Sequence, residues 1–301
     1  MAPFRYVAAA ALVTLVTASS SSKRGLCVIP PRDNPYHAED ENVWTTHPHS
    51  HLNWYYNYES TPTRAYECTY DFEFVPMFWG APEGGFIGAT PFLDSIRQQL
   101  KAGANITHVL GFNEPDGLFE DGAANIPAQV AAKEWTRQLE PLKHHGIKLG
   151  APAVTGTPDG TMWLQDFFYY CNGTCSPDFL PVHFYGSFEA MASKVTEWGY
   201  SHQDLPTTQH AFVESIRMFD DWRNITRYAY FGAFRSDTSN VGANSAMLTE
   251  KGELTDIGSW YLGGSRTNKM PHSSWAENLK AKMNTIRLGV FVALVGVLVD
   301  W

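Results

Sequence analysis

The sequence predicts an α/β fold, specifically a single (β/α)8 TIM barrel. Between Gly25 and Leu262, eight apolar, β-branched or aromatic runs are separated by longer intervals, several of which have helical periodicity. Eight strand–helix units over about 240 residues are the size and rhythm of this barrel. A doubly wound sheet, the competing fold, requires a glycine-rich phosphate turn after its first strand, but this chain reads Pro30-Pro31-Arg32-Asp33 there.

Each predicted element follows from its local pattern. The eight strands are predicted at residues 26–29, 53–58, 72–77, 107–112, 148–151, 179–184, 208–213 and 226–231. Residues 90–101 carry apolar side chains at helical spacing and are followed by Gly103. Residues 128–145 have an apolar side, begin after Pro127 and stop at Gly146, so they predict a second helix.

Composition narrows the classes of ligand. The 301 residues fit one large domain, and 31 acidic against 22 basic residues give a formal net charge of −9. This balance argues against nucleic acid as the main ligand, because phosphate binding relies on clustered cations. Aromatic residues make up 14% of the chain. Such residues pack in the core, and some can also stack on the faces of sugar rings.

Two glutamates are predicted at the ends of strands, where TIM-barrel active sites form. Glu114 follows strand four in Gly111-Phe112-Asn113-Glu114-Pro115-Asp116, and Glu214 follows strand seven. Hydrolysis of a glycosidic bond needs two carboxyl groups, about 5–5.5 Å apart when configuration is retained. We predict that Glu114 is the general acid/base and Glu214 the nucleophile. Pro115 predicts an extended backbone for Glu114.

Further candidates surround these acids. Asn113 is placed to hydrogen-bond a sugar hydroxyl. His183 and Tyr185 share a face of strand six, where Tyr185 could orient the nucleophile and His183 could tune it, bind sugar or be a core histidine. The candidate sugar platforms, each equally consistent with packing, are Trp54, Tyr56, Trp79 and Tyr230. The loop His47-Pro48-His49-Ser50-His51 resembles a metal site, but we expect no functional metal and no cofactor.

The two ends of the chain carry targeting patterns. Residues 1–18 have a basic start, an apolar stretch and small residues at the cleavage point, as in a signal peptide, so we expect secretion. Residues 19–24 form a short pro or linker segment in which Lys23-Arg24 is either a dibasic processing site or two charges before strand one. After the catalytic domain at 25–262, a polar spacer (263–287) precedes an apolar tail (288–301). This order is typical of a glycosylphosphatidylinositol (GPI) signal and so of membrane attachment through a lipid anchor; the alternative is a tail helix packed on the domain.

Cysteines and asparagines fit the secretory route. Cys171 and Cys175 lie close enough to form a disulfide, which would leave Cys27 with Cys68, although four cysteines allow three connectivities. The predicted N-glycosylation acceptors each precede an even-numbered strand: Asn105, Asn172 and Asn224. This spacing places the glycans on the face opposite the active site.

Several segments together resemble glycoside hydrolase family 128. They are Asn53-Trp54-Tyr55-Tyr56-Asn57, Phe74-Val75-Pro76-Met77-Phe78-Trp79-Gly80, the Gly111–Asp116 motif, Lys148-Leu149-Gly150-Ala151-Pro152-Ala153-Val154, Val182-His183-Phe184-Tyr185-Gly186 and Arg227-Tyr228-Ala229-Tyr230-Phe231-Gly232. The resemblance implies a TIM-barrel endo-β-1,3-glucanase that retains configuration and acts on cell-wall glucan. It also implies that the glutamate of Asn-Glu-Pro-Asp is the acid/base and that the strand-seven glutamate is the nucleophile.

The chain also departs from the family pattern. The family often reads Thr-Glu-Phe or Thr-Glu-Trp around its nucleophile, whereas Val213-Glu214-Ser215 stands at the predicted position. Cys27-Val28-Ile29 and Tyr230 stand where the family often has tryptophan. The predicted function is a retaining endo-β-1,3-glucanase at the cell wall or cell surface that binds β-1,3-glucan. The alternatives are a non-catalytic β-glucan-binding protein on the same barrel and a barrel hydrolase for another polysaccharide, such as mannan or xylan.

Overall fold

A computed structural model describes residues 23–29, 34–48, 50–67, 72–183, 202–272 and 297–300. Within these ranges, strands and helices mostly alternate along the chain. In order they are β1 (Arg24–Cys27), α1 (His37–Thr46), β2 (Trp54–Tyr56), β3 (Glu73–Phe74), α2 (Pro91–Lys101), β4 (His108–Val109), α3 (Ala128–Gln138), β5 (Lys148–Leu149), α4 (Pro158–Cys171), β6 (Phe179–Val182), α5 (Leu205–Asp221), β7 (Ile225–Tyr230), α6 (Asp256–Tyr261) and β8 (Val297–Asp300).

The strands pair in a ring. β3, β2, β1 and β7 are parallel neighbours, and so are β4 and β5. Single parallel bridges, Met77 to Leu110 and Gly150 to Phe179, link these groups. β8 lies antiparallel between β6 and β7. The predicted α/β class with a parallel sheet is confirmed. Among the described residues, one place in the ring is occupied by a C-terminal antiparallel strand rather than by an eighth parallel one.

The strand predicted at 208–213 is wrong, because these residues lie in helix α5. Asp204 caps the helix by accepting a hydrogen bond from the Thr207 N–H at 2.9 Å, and a proline lies in the first turn. The buried residues recur every three or four positions, as a helix packed on one side requires. They are Thr208, Ala211, Phe212, Ser215 and Phe219. The β-branched and aromatic content of this run therefore reflects one buried helix face.

One of the two predicted disulfides is present. Cys171 and Cys175 are bonded, as predicted. Cys27 is a free, fully buried thiol 3.0 Å from the Tyr58 hydroxyl, so its predicted pairing with Cys68 is wrong; Cys68 itself lies outside the described residues. Burial raises the pKa of the Cys27 thiol to about 12, because a thiolate is poorly solvated in an apolar core.

Residues on either side of the predicted domain make contacts with it. Arg24 begins β1, and Lys23 Nζ donates to the carbonyls of Phe219, Asp220 and Trp222 at the end of α5. The basic pair is therefore built into the fold, where it compensates the negative end of a helix. Residues 263–272 of the predicted spacer also pack on the domain, because the Asp256 carboxylate accepts hydrogen bonds from three residues there. Within the described ranges, none of the helices has the length and apolar character to cross a membrane.

A charged network ties three strands together at their N-terminal ends. The Glu73 carboxylate, on β3, accepts hydrogen bonds from Arg227 Nη2 on β7 at 2.7 Å and from the Thr107 hydroxyl, and lies 3.5 Å from His108 Nδ1 on β4. Burial opposes ionisation of Glu73, but these hydrogen bonds and the Arg227 charge outweigh it and lower its pKa to about 2. The network closes the sheet on the side opposite the candidate active site.

Candidate active site

The candidate site begins where β4 ends. The Asn113 N–H donates to the Trp79 carbonyl at 3.0 Å, and the Glu114 N–H donates to the Ala153 carbonyl at 2.7 Å. A parallel bridge joins Asn113 to Ala153 after β5. Both Asn113 and Glu114 are buried. The motif therefore lies at the C-terminal ends of β4 and β5, where the sequence predicted it.

The backbone of Glu114 is not extended as predicted. Its φ is 42°, in the left-handed region that non-glycine residues seldom adopt and that a following proline disfavours further. Two hydrogen bonds hold the turn: the Gly117 N–H donates to the Glu114 carbonyl at 3.0 Å, and the Ile126 N–H donates to the Pro115 carbonyl at 2.8 Å. Such a backbone costs about 1–3 kcal/mol and is typical of functional sites. The steric preference set by Pro115 is overridden by the loop that follows it.

His183, just after β6, contacts the Glu114 carboxyl group. His183 Nδ1 lies 3.1 Å from Glu114 Oε1, and the two residues are 5% and 1% exposed. In a ring of strands, alternate members such as β4 and β6 send side chains into the same layer. Among the described residues, Glu114 Oε2 and Asn113 Oδ1 are buried without a hydrogen-bond partner. A substrate can reach Oε2 only after a neighbouring group moves aside.

The loop after the motif carries an aromatic residue that sequence reasoning missed. Phe119 is 68% exposed and meets Trp79 edge-to-face, with ring centroids 6.2 Å apart. The two rings border a groove of about 500 Å³. The loop is tied to the motif by the Ala124 N–H, which donates to the Asn113 carbonyl. The motif itself is anchored to the segment after β5, because the Asp116 carboxylate accepts hydrogen bonds from the Thr155 N–H and hydroxyl. The sequence signal for this exposed aromatic residue was the pair of adjacent apolar residues, Leu118 and Phe119, that follows the polar motif.

Three of the four predicted platforms are buried. Trp54, Tyr56 and Tyr230 are 1%, 2% and 1% exposed, so none presents a ring face to a sugar. Trp54 begins β2, which places it towards the opposite end of the sheet, where its indole N–H donates to the Lys23 carbonyl at 3.1 Å. The Tyr230 hydroxyl donates to the Ser245 carbonyl. The platform prediction is wrong for these three, and Trp79 is the one of the four that is partly exposed.

Glu214 does not lie at the end of a strand. It is on helix α5, its side chain is 37% exposed, and its carboxylate accepts a hydrogen bond from Arg217 at 2.9 Å. This i,i+3 ion pair on a helix surface is an ordinary solvated contact. Glu214 therefore lacks the position on which its predicted role as nucleophile depended. Tyr185, predicted to orient the nucleophile, lies outside the described residues.

A different glutamate matches the expected sequence around a nucleophile. Val195-Thr196-Glu197-Trp198 contains the Thr-Glu-Trp pattern that is absent around Glu214. This segment also lies outside the described residues. The β-branched residues immediately before Glu197 were a sequence signal for an acid at the end of a strand. Because strand seven is predicted at residues 208–213 instead, Glu197 is absent from the predicted site residues.

Within the ranges that the structure describes, no three His, Cys, Asp or Glu side chains are grouped to hold a metal ion. Of the histidine loop, His47 and His51 are described and His49 is not. What the described geometry offers is a buried carboxyl group, an imidazole and an amide at the end of a parallel sheet, a set suited to proton transfer.

Comparison with known proteins places the chain in a family. The profile described as "Glycosyl hydrolase catalytic core" matches residues 25–261. Alkali-sensitive linkage protein 1 of Schizosaccharomyces pombe is 27% identical over 265 residues, which cover 81% of this chain and 45% of that protein. The chain thus spans less than half the length of this relative.

Solved structures from glycoside hydrolase family 128 (GH128) share the fold. An exo-β-1,3-glucanase of subgroup VI from Aureobasidium namibiae is 20% identical, with a TM-score of 0.63 over 80% of this chain and 96% of that one. A curdlan-specific exo-β-1,3-glucanase of subgroup III from Blastomyces gilchristii is 28% identical, with a TM-score of 0.58 over 80% and 98%. An oligosaccharide-binding protein of subgroup VII from Trichoderma gamsii is 20% identical, with a TM-score of 0.57 over 81% and 93%. Because the profile match spans most of its length, the chain belongs to the glycosyl hydrolase catalytic core family.

Proposed function

We propose that this protein hydrolyses β-1,3-glucan. The single observation that carries the proposal is the buried Glu114–His183 pair at the ends of β4 and β6, in a chain of a glycosyl hydrolase family. The GH128 enzymes of similar fold from Aureobasidium and Blastomyces are β-1,3-glucanases, which supports this substrate. Endo cleavage with retention of configuration is the form of the reaction that we propose, as the sequence resemblance implied.

In this proposal Glu114 is the general acid/base. Its Oε1 is held by His183 Nδ1, so the carboxyl group has a fixed orientation, while Oε2 remains for a proton that moves to the leaving oxygen. Protonation of Oε2 leaves the contact with His183 in place, so the same group can later accept a proton from water. Asn113 Oδ1, also buried without a described partner, is placed to accept a hydrogen bond from a sugar hydroxyl.

We further propose Glu197 as the nucleophile in place of Glu214. The proposal rests on the Thr196-Glu197-Trp198 sequence and on the surface position of Glu214 beside Arg217. A nucleophilic carboxylate must reach the anomeric carbon on the face opposite the acid. A carboxylate that is ion-paired on the outside of a helix does not meet that requirement.

The groove between Trp79 and Phe119 is the proposed sugar subsite. Both rings belong to loops fixed to Asn113, through the Trp79 carbonyl and through the hydrogen bond from Asn113 Nδ2 to the Gly122 carbonyl at 3.3 Å. A sugar ring has an apolar face that packs against an aromatic ring. A groove of about 500 Å³ accommodates one or two sugar units, and its lining includes Ala124 and Asn125 of the loop that follows the acid.

We also propose that the chain is a secreted glycoprotein anchored at the cell surface through a lipid on its C-terminal side. The pattern of residues 1–18, the three acceptor tripeptides and the order of spacer and apolar tail support this. Removal of the tail would take β8 out of the sheet, so the two fates of the tail differ measurably. The mass of the mature protein, and its release by a phosphatidylinositol-specific phospholipase, distinguish an anchored form from one that keeps residues 297–300.

A non-catalytic glucan-binding protein is the second candidate. Two observations favour it: Glu114 is 1% exposed, and an oligosaccharide-binding protein shares the fold. A glucan-binding protein would retain affinity for the polysaccharide and release no reducing ends. The two candidates therefore separate in one assay.

The test measures reducing ends released from linear β-1,3-glucan by the secreted protein, with mannan and xylan in parallel. We expect release from β-1,3-glucan, a loss of at least about 10³-fold in Glu114→Gln and Glu197→Gln, and wild-type rates in Glu214→Gln, the matched surface control. Glucan binding without any release by the wild type would replace the hydrolase with the binding protein. Release from mannan or xylan alone would change the substrate.

A further inference from the structure

A second groove lies on the outside of the domain between α3 and α4. Its volume is about 560 Å³, and it is lined along α3 by Gln129, Val130, Lys133, Thr136 and Arg137, with Tyr170 of α4 as the facing wall. Tyr170 is 47% exposed although it is a large aromatic residue. An aromatic wall opposite amide, ammonium and hydroxyl groups suits a ligand that has both an apolar face and polar substituents.

The end of α4 beside this groove is an N-glycosylation acceptor. Asn172-Gly173-Thr174 follows α4 directly, and the Cys171–Cys175 disulfide encloses these three residues. Asn172 caps the helix in the left-handed conformation, with φ 47° and ψ 43°, and its N–H donates to the Phe168 and Tyr169 carbonyls. All three acceptor residues are exposed. The turn is therefore held in one conformation while its asparagine side chain stays accessible.

The acceptor and the groove are in direct contact. The Thr174 hydroxyl lies 3.1 Å from the hydroxyl of Thr136, which lines the groove, and it also donates to the Cys171 carbonyl at 2.6 Å. Tyr170 lies two residues before Asn172, on the other side of the same turn. A sugar attached to Asn172 thus begins two residues from Tyr170 and two residues from the Thr174–Thr136 contact.

We propose that the first N-acetylglucosamine of an Asn172-linked glycan packs against Tyr170 in this groove. The apolar face of the pyranose covers the exposed ring, and its acetamido and hydroxyl groups meet the side chains of Gln129 and Lys133. The attached sugar is then part of the folded surface, and it stabilises the α3–α4 contact. This inference rests on the glycosylation proposed above and is independent of the hydrolase activity, since the groove is lined by α3, α4 and Gly84 and includes neither Glu114 nor His183.

The test has two parts, both on the full chain secreted from a eukaryotic host. First, enzymatic deglycosylation in ¹⁸O water converts each glycosylated asparagine to labelled aspartate, and peptide mass analysis reads Asn105, Asn172 and Asn224 separately. We expect Asn172 to be labelled. An unlabelled Asn172 with either other site labelled overturns this inference and leaves secretion intact. No label at any site overturns the glycosylation proposal as well, while glucan hydrolysis remains a separate measurement.

The second part is a double-mutant cycle on melting temperature. Tyr170→Ala is measured in the glycosylated chain and in Asn172→Asp, which removes the glycan and keeps a residue that tolerates the left-handed backbone. We expect Tyr170→Ala to lower the Tm by about 2–4 °C more in the glycosylated chain, the shift that one aromatic contact gives in a domain of this size. Met162→Ala, which removes a 55% exposed apolar side chain near the other end of α4 and outside the groove lining, should show no such coupling.

Trimming the glycan to its first sugar completes the cycle. An endoglycosidase that leaves one N-acetylglucosamine on Asn172 should preserve the coupling, because the proposed contact belongs to that sugar. Equal effects of Tyr170→Ala with and without the glycan would overturn the proposal, and so would loss of the coupling on trimming. Each outcome is read as a difference between folded variants, so a general cost of removing the Tyr170 ring does not affect the result.

Discussion

Replacing Glu73 by glutamine should remove a large part of the acid sensitivity of this fold. The Glu73 pKa falls from its ordinary value of 4.5 to about 2 on folding, because hydrogen bonds from His108 and Arg227 and the Arg227 charge outweigh the cost of burial. Its side chain is 22% exposed, so the surrounding water screens these interactions only partly.

Proton linkage gives the direction in which the stability contributed by Glu73 changes with pH. A carboxyl group with a lowered pKa in the folded state adds stability above the pKa of the unfolded chain, and this stability is lost as the pH falls through the folded pKa. At 1.36 kcal/mol per unit of pKa, the Glu73 contribution is about 3 kcal/mol at neutral pH, of which about 2 kcal/mol is lost between pH 7 and pH 3. Glu73→Gln leaves the Arg227 charge partly buried without its partner, so the variant should also be less stable at pH 7.

Urea unfolding of the wild type and Glu73→Gln at pH 7, 5 and 3 measures this effect. The gap in unfolding free energy between them should narrow by about 2 kcal/mol from pH 7 to pH 3. Glu214→Gln is the matched control, because Glu214 forms an ion pair with Arg217 at 2.9 Å on the exposed face of a helix, and the pH dependence of this variant should follow the wild type. A constant gap between wild type and Glu73→Gln across this range would refute the linkage between the network and stability.

Three further predictions concern other residues. The Cys27 thiol should resist alkylation at pH 8 in the native protein and react after unfolding, because it is buried and its pKa is about 12; rapid native labelling in peptide mass analysis would contradict this. Trp79→Ala and Phe119→Ala should each raise the KM for β-1,3-gluco-oligosaccharides about tenfold with a smaller change in kcat, and an unchanged KM would exclude the groove as a subsite. Replacing Cys171 and Cys175 by serine should lower the unfolding free energy by about 2 kcal/mol, the chain-entropy effect of so short a loop, and equal urea midpoints would contradict that value.

The fold was predictable from the sequence where the local apolar pattern of a run matched the way that run is buried in the structure. The short β-branched run before Gly111 is an example: its apolar pattern fits a strand, and the structure pairs it in parallel with its neighbours, as expected. The strand prediction at 208–213 failed because the run fits both periods: Thr208 and Phe212 are buried and four residues apart, while the apolar Ala211 and Val213 are two apart. The Asp204 cap and the buried Phe219, which favour a helix, lie outside the run. A six-residue run was therefore too short to reveal the helical period, which is visible only over the whole of α5.

The acid of the site was predictable, and its surroundings were not. Glu114 follows a strand in a motif with an asparagine and a proline, and these local features were enough to identify it. Its left-handed backbone and its contact with His183 depend on the loop ending at Ile126 and on β6, both distant in sequence. Burial of Trp54 and Tyr230 likewise follows from which strand end each occupies, and composition carries no information about that.

The central claim, that Glu114 acts as acid/base with a separate carboxylate nucleophile, is tested most directly by trapping the glycosyl-enzyme intermediate. The protein is incubated with an activated 2-deoxy-2-fluoro-β-1,3-glucoside, digested, and mapped by peptide mass analysis. We predict that the label lies on Glu197, that Glu114→Gln still accepts it because the activated leaving group needs no acid, and that Glu114→Gln turns it over more slowly. A label on Glu114 or Glu214 would contradict the assignment, and the absence of any label on a hydrolytically active protein would contradict the double-displacement mechanism.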